Sequence, residues 1–167
     1  MVQSRENATL INPGTLRFER MLPGSVERVW SYLTDAKKLA AWFAGGEFDL
    51  RLGGQIWLEF DHALESRYRD LATFHGRITR LEPPFALAYA WRADGHDSEV
   101  SIELTPQGKS VLLVITHRGL GARYEAVGVA SAWDAHTGVL ADVLAGEKPR
   151  SFWSTHERVH RRYAATL

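Results

Sequence analysis

Apolar and polar positions change their period twice along this chain, and the changes mark out its elements. From Thr15 to Leu22 they alternate, with Leu16, Phe18 and Arg20 on one face and Arg17, Glu19 and Met21 on the other, the two-residue period of a strand. Pro23, Gly24 and Ser25 stop that strand and supply a helix start, with Ser25 or Gly24 as cap. Val26, Val29, Trp30 and Leu33 then fall at helical spacing. Asp35 caps a second short helix that carries Leu39, Trp42 and Phe43.

From Phe48 the period returns to two. Ile56, Leu58 and Phe60 share a face, with Trp57, Glu59 and Asp61 opposite, and the charged stretch 62–70 is read as a loop. Residues 71–81 form a strand broken at Glu82, Pro83 and Pro84, since neither proline can donate to a sheet ladder. Leu87, Tyr89 and Trp91 alternate next, and Asp94-Gly95 signals a hairpin. Val100, Ile102 and Leu104 form another strand face, with Gln107-Gly108 as the following turn. Residues 111–117 are almost wholly apolar, which predicts a strand buried on both faces. Short turns between consecutive strands make an antiparallel meander the expected topology.

The last strong pattern is helical and runs over 124–145. Ala130, Trp133, Thr137, Leu140 and Leu144 recur every three or four residues, while Asp134, His136 and Asp142 lie elsewhere around the helix. Gly146 suits the helix-ending position and Pro149 prevents continuation. A helix of about 22 residues spans roughly 33 Å, enough to cross a sheet. The expected organisation is therefore a flexible N-terminus over 1–13, one α+β domain over 14–146, and a tail over 147–167 in which a weak pattern over 151–165 allows a short final helix. A sheet covered by one such helix tends to enclose a cavity, which points toward binding an apolar molecule.

Composition narrows the options. The chain has 167 residues, 20 basic and 20 acidic, so no global field draws in nucleic acid. No apolar stretch approaches the roughly 18 residues of a membrane span, and there is no secretory apolar core at the start. Without cysteine there are no disulfides, thiol chemistry or cysteine-ligated metals, and a cytoplasmic protein is the simplest reading. No cofactor is expected.

Together, Pro23, Val29, Trp30, Leu33, Thr34 and Asp35 resemble the first-helix signature of the START-like (SRPBCC) superfamily. Trp42, Gly53, Gly54, Gly76, Ile78, residues 81–84, Tyr89, Trp91, residues 116–120 and Trp133 extend the likeness over about residues 14–145. Within the superfamily the chain is most similar to homologues of the C-terminal domain of the ATPase activator of the ninety-kilodalton heat-shock chaperone. The resemblance implies a helix-grip fold: a curved antiparallel sheet of about six or seven strands around a long C-terminal helix. Two short helices would separate the first two strands, and a pocket would lie between sheet and helix. Ala132 precedes Trp133 where the family usually carries glycine. True activators add a separate N-terminal domain that engages the chaperone, and 167 residues leave no room for one, so the resemblance implies a domain rather than that activity.

Candidate ligand-binding residues are Phe60, Arg69, Phe74, Tyr89, Trp91, His117, Trp133, Thr137 and Leu140, because aromatic walls with a few polar points build apolar sites. Trp57 is a further aromatic candidate, although ordinary cores are also aromatic. His117 shares a face with Leu113 and Ile115 and is either a general base or, preferably, a structural histidine bonded to a backbone carbonyl. Asp61, Arg69, Tyr89 and His136 are the polar groups to test for chemistry, and no catalytic residue is assigned. His156, Glu157 and His160 match the HExxH zinc pattern, but the third ligand of such proteases lies downstream and seven residues follow. The match is read as coincidence.

Three functions remain: sequestering or sensing an apolar ligand, a cyclase- or hydrolase-like enzyme in the same cavity, and an interaction module linked to stress-response chaperoning. The expected partner is an apolar small molecule, with a second copy of the chain and the heat-shock chaperone as further candidates. An interior filled by Trp91 and Trp133 would favour the interaction module, and an open one of a few hundred Å³ a ligand.

Overall fold

Side-chain caps set the helical boundaries. Ser25 Oγ accepts from the Arg28 N–H at 3.2 Å and starts α1 (Val26–Thr34), and Asp35 accepts from the Lys38 N–H at 3.0 Å and starts α2 (Ala36–Ala40). This computed structural model describes residues 7–60, 73–93 and 96–167. Within them, eight strands form a single curved antiparallel sheet: β1 (Asn7–Asn12), β2 (Thr15–Pro23), β3 (Gly45–Phe48), β4 (Gln55–Glu59), β5 (Thr73–Glu82), β6 (Ala86–Ala93), β7 (His96–Gln107) and β8 (Ser110–Arg118). Their order is β1-β2-β8-β7-β6-β5-β4-β3. The chain leaves β2, crosses through α1 and α2 to the far edge, and winds back strand by strand until β8 closes on β2.

Register places alternate residues on one inner face. Leu16, His117, Val100, Tyr89 and Ile78 form one row across five strands, and Phe18, Ile115, Ile102 and Leu87 form the next. The long helix α3 (Arg123–Ala145) packs on this face and ends at Gly146, whose φ of 73° is the left-handed cap that glycine adopts without strain. A double glycine before β4 makes its own turn: a Cβ on Gly54 would sit 1.9 Å from the Asp49 carbonyl oxygen.

One expectation needs correction, and the tail proves more ordered than its weak pattern indicates. Residues 7–12 are strand β1, not loose chain, and pair with β2 around a tight turn at Pro13-Gly14. The tail carries a 15-residue helix, α4 (Phe152–Thr166), capped by Ser151 and burying Thr155, Val159 and Tyr163. This helix runs back along α3: Arg150 clamps Asp142 at one end (2.7 Å), and Arg123 donates to the Ala164 carbonyl (2.7 Å) at the other. Packed between the sheet and α4, α3 buries Asp134, His136 and Asp142 as well as its apolar stripe.

A charged network closes this seam. Arg20, on the inner face of β2, is only 3% exposed. Its Nε donates to Thr137 Oγ1 (2.9 Å) and its Nη2 to Asp134 Oδ1 (2.7 Å). The other Asp134 oxygen accepts from the Tyr163 hydroxyl (2.7 Å) and Arg162 Nη2 (2.6 Å). Tyr163 in turn accepts from the Ala8 backbone N–H at 3.2 Å. One carboxylate thus ties β1, β2, α3 and α4 together, with its lone pairs matched as burial of a charge requires.

Candidate functional site

The inner face is not uniform. Around Leu22, Val111, Leu113, Leu104 and Leu87 it is aliphatic and sealed, whereas beyond the row of Tyr89 it becomes a cluster of rings. Phe60 follows β4, Phe74 lies on β5, Tyr89 and Trp91 on β6, His117 on β8, and Trp133 and His136 on α3. Phe43, just after α2, sits in their midst. It stacks on Trp133 (centroids 5.3 Å apart, planes 14° apart) and meets Phe60 edge-on at 5.0 Å. Phe74 contacts Phe60 at 5.2 Å and Trp91 at 4.6 Å, while Trp91 and Trp133 meet edge-on at 6.3 Å. Edge and offset geometries of this kind are the favoured ones for aromatic pairs. Phe74 and Trp91 are only partly buried, so the cluster reaches solvent.

His117 is fixed at both ring nitrogens. The indole N–H of Trp133 reaches Nδ1 at 3.3 Å. An indole can only donate, so Nδ1 carries no proton and the ring proton sits on Nε2. Nε2–H then donates to Ser98 Oγ at 2.9 Å, and Ser98 donates to the Trp91 carbonyl at 3.3 Å. Burial lowers the imidazole pKa to about 4, because the charged form would lose its hydration. With both nitrogens taken and no proton to accept near neutrality, this is a structural histidine. Its partners are an indole and a serine, with the backbone carbonyl reached one step later. His136 donates from Nδ1 to the Trp42 carbonyl (3.1 Å) and packs against Phe43 and Phe152 at 4.8 and 4.5 Å.

Tyr89 is 3% exposed, and burial alone pushes its phenol above the ordinary tyrosine value. Among the described residues no side-chain nitrogen or oxygen sealed from solvent is left without a hydrogen-bond partner. It lines a narrow hollow with Ile56, Leu58, Phe74 and Trp91 that is too tight to admit a water molecule. This hollow is not the open space of a few hundred Å³ anticipated for a ligand, and Trp91 and Trp133 pack edge-on beside it.

The structure brings Phe60, Phe74, Tyr89, Trp91, His117 and Trp133 together and leaves other candidates elsewhere. Thr137 belongs to the Arg20 network, donating to the Trp133 carbonyl at 2.7 Å. Leu140 is fully buried in the apolar core. Trp57 lies on the outer face, 45% exposed and parallel to His75 at 6.4 Å. There, with Gln55, Arg77 and Arg92, it lines a groove of about 1070 Å³. Asp61 and Arg69 lie outside the described residues, as do the loop expected at 62–70 and the Asp94-Gly95 turn. On α4 the rings of His156 and His160 stand 5.8 Å apart, and Glu157 faces Arg161 at 3.8 Å. No group of three or more metal-binding side chains occurs among the described residues.

Residues 23–145 match the family described as Activator of Hsp90 ATPase homolog 1-like protein. The chain belongs to this family. Among solved structures, the chain is similar to a Bordetella parapertussis protein determined by solution NMR, at 37% identity and a TM-score of 0.78, covering 99% of this chain and 96% of that one. It is also similar to CalU16 from Micromonospora echinospora, at 25% identity and a TM-score of 0.73, covering 95% and 93%. An HSP90 activator from Plasmodium falciparum shares the fold at 18% identity and a TM-score of 0.62, covering 81% and 99%. No functionally curated protein matches in sequence. Among the described residues no helix is long and apolar enough to cross a membrane.

Proposed function

We propose that this protein binds a small, mainly apolar molecule among the rings at the aromatic end of its interior. The observation that carries this reading is the asymmetry of the inner face: aliphatic side chains close one end, while the rings gather at the other and two of them, Phe74 and Trp91, reach solvent. Proteins of this fold commonly bind hydrophobic ligands. Entry requires Phe74 and Trp91 to swing outward, since the space between the rings is narrow. A ligand burying about 300 Å² of apolar surface gains roughly 7 kcal/mol against that rearrangement. A catalytic role for His117 has little support, because both its nitrogens are engaged within the protein.

The groove beside Trp57 favours a second reading, a module that docks a protein partner on the outer sheet face. The narrowness of the hollow beside Tyr89 is also what that reading anticipated. One experiment separates the two. Indole N–H resonances followed during titration with naphthalene should shift at Trp91 and Trp133 and stay still at Trp57. Shifts confined to Trp57, or none together with chaperone capture and altered chaperone ATPase rates that depend on Trp57, would replace the first reading by the second. Native mass spectrometry of the purified protein adds a direct check for a carried aromatic or lipid.

A further inference from the structure

The groove of about 1070 Å³ beside Trp57 lies on the outer face of the sheet, across β4, β5 and β6 from the aromatic interior. Register lays out its floor. Glu47, Trp57, His75 and Arg92 follow one another from β3 to β6, and Gln55, Arg77 and Ala90 form the next row. The indole of Trp57 is 45% exposed and lies 7° from parallel with the His75 ring, their centroids 6.4 Å apart. A ring left open in this way offers a flat apolar surface for stacking.

Most charges along the groove are matched within the protein. Arg51 bonds Asp49 at 2.6 Å and Arg92 bonds Asp97 at 2.8 Å. Two are not. Among the described residues the Arg77 guanidinium meets only the Gly53 carbonyl, at 3.0 Å, and the Glu47 carboxylate has no ion pair or hydrogen bond. They bracket the rings: Glu47 stands beside Trp57 on the edge strand β3, and Arg77 lies two residues from His75 on β5. Strand spacing sets β3 and β5 roughly 10 Å apart. Three guanidinium groups and three carboxylates line the groove, so net charge favours neither an anion nor a cation. What the two unmatched groups favour is one charge of each sign at opposite ends of the same molecule.

We infer that this groove is a binding site for a flat aromatic zwitterion, a small molecule with a carboxylate at one end of its ring system and an ammonium at the other. The carboxylate takes the remaining N–H donors of Arg77, the ammonium meets Glu47, and the ring lies on the Trp57 indole. The distance from β3 to β5 is that of one bicyclic ring with a substituent at each end, so a single small molecule reaches both charges. Each end contact is exposed and contributes only a few-fold in affinity, and specificity comes from the two together. The site is separate from the aromatic interior and does not depend on it.

The test uses the full chain with 6-(aminomethyl)-2-naphthoate, 2-naphthoate, 2-(aminomethyl)naphthalene and naphthalene, read by calorimetry and by the indole N–H resonances. The zwitterion should bind tightest, by about two- to fivefold over either singly charged probe, and should shift Trp57 while Trp91 and Trp133 hold still. Arg77→Gln should bring the zwitterion level with the amine, and Glu47→Gln should bring it level with 2-naphthoate. Both side chains are exposed, so these variants should keep the spectrum of the unaltered chain away from the groove. Trp57→Leu should weaken every charged probe by roughly three- to tenfold. A zwitterion advantage that survives both charge substitutions, or a singly charged probe that binds tightest, overturns the site. So does a Trp57 resonance that no charged probe moves, and if the heat-shock chaperone shifts it instead, the groove belongs to a protein. Naphthalene shifts at Trp91 and Trp133 report on the interior alone, so either reading can fail without the other.

Discussion

Two buried phenols make a controlled comparison within one molecule. Tyr163, at the seam of α3 and α4, donates to Asp134 and accepts from Ala8 and Arg162. Tyr89, at the aromatic end, lies beside Trp91 with ring centroids 5.8 Å apart and borders the narrow hollow there. Both are driven upward in pKa mainly by burial, with the Asp134 carboxylate adding to it at Tyr163. Equal depth therefore conceals opposite roles. The Tyr163 hydroxyl holds elements in place through its hydrogen bonds, whereas Tyr89 contributes chiefly through its ring.

The harshest way to break the comparison is Asp134→Ala, which leaves Arg20 buried without its carboxylate. It should cost about 3–5 kcal/mol in urea unfolding, the penalty for one half of a buried pair. Acid comes next. The folded-state pKa of His117 lies below its ordinary value near 6.5, so the unfolded chain takes up the proton first. Stability from this group is complete above about pH 6.5 and falls through the interval down to about pH 4, by about 3 kcal/mol over the full shift. His117→Leu should flatten the stability profile across that interval, which unfolding at several pH values would measure. Tyr163→Phe should cost about 1–3 kcal/mol, because it strips a bond from Asp134 and leaves the Ala8 N–H unmet. The smallest effect sharpens the contrast most. Tyr89→Phe, the same deletion, should change stability by less than about 0.5 kcal/mol or raise it slightly, as judged by thermal and urea unfolding.

Local signals carried much of the fold. Ser25, Asp35 and Gly146 announce their caps because capping is decided within a few residues, and the inner-face rows follow from strict alternation. Strand β1 escaped notice because Ala8 is its one buried residue, so the segment has no alternation to show. Helix α4 carries Thr155, Val159 and Tyr163 four apart, a stripe one residue wide among charged neighbours, visible once their burial is known. Arg20 stood on the apolar face of its strand from the start. Its meaning depended on a carboxylate 114 positions away, which no local pattern can supply.

The candidate site divides the same way. The alternating rings were legible, and so was their company with His117. Trp57 sat on the opposite strand face by its own parity, and its removal from the cluster follows from that alternation. Thr137 shared a helical stripe with Trp133, but its hydroxyl meets Arg20 of β2 instead of the rings. Phe43 and Ser98 became site residues through tertiary packing and cross-strand register, neither of which hydrophobic period encodes.

The carboxylate shared by four elements also bears on how the chain is made. A ribosome delivers Arg20 early, but the anion that lets this cation leave water emerges more than a hundred residues later, and the phenol that braces the anion 29 residues after that. The second strand cannot be sealed until α3 and α4 are free of the ribosome, so the nascent sheet stays unlatched while the strands between are being made.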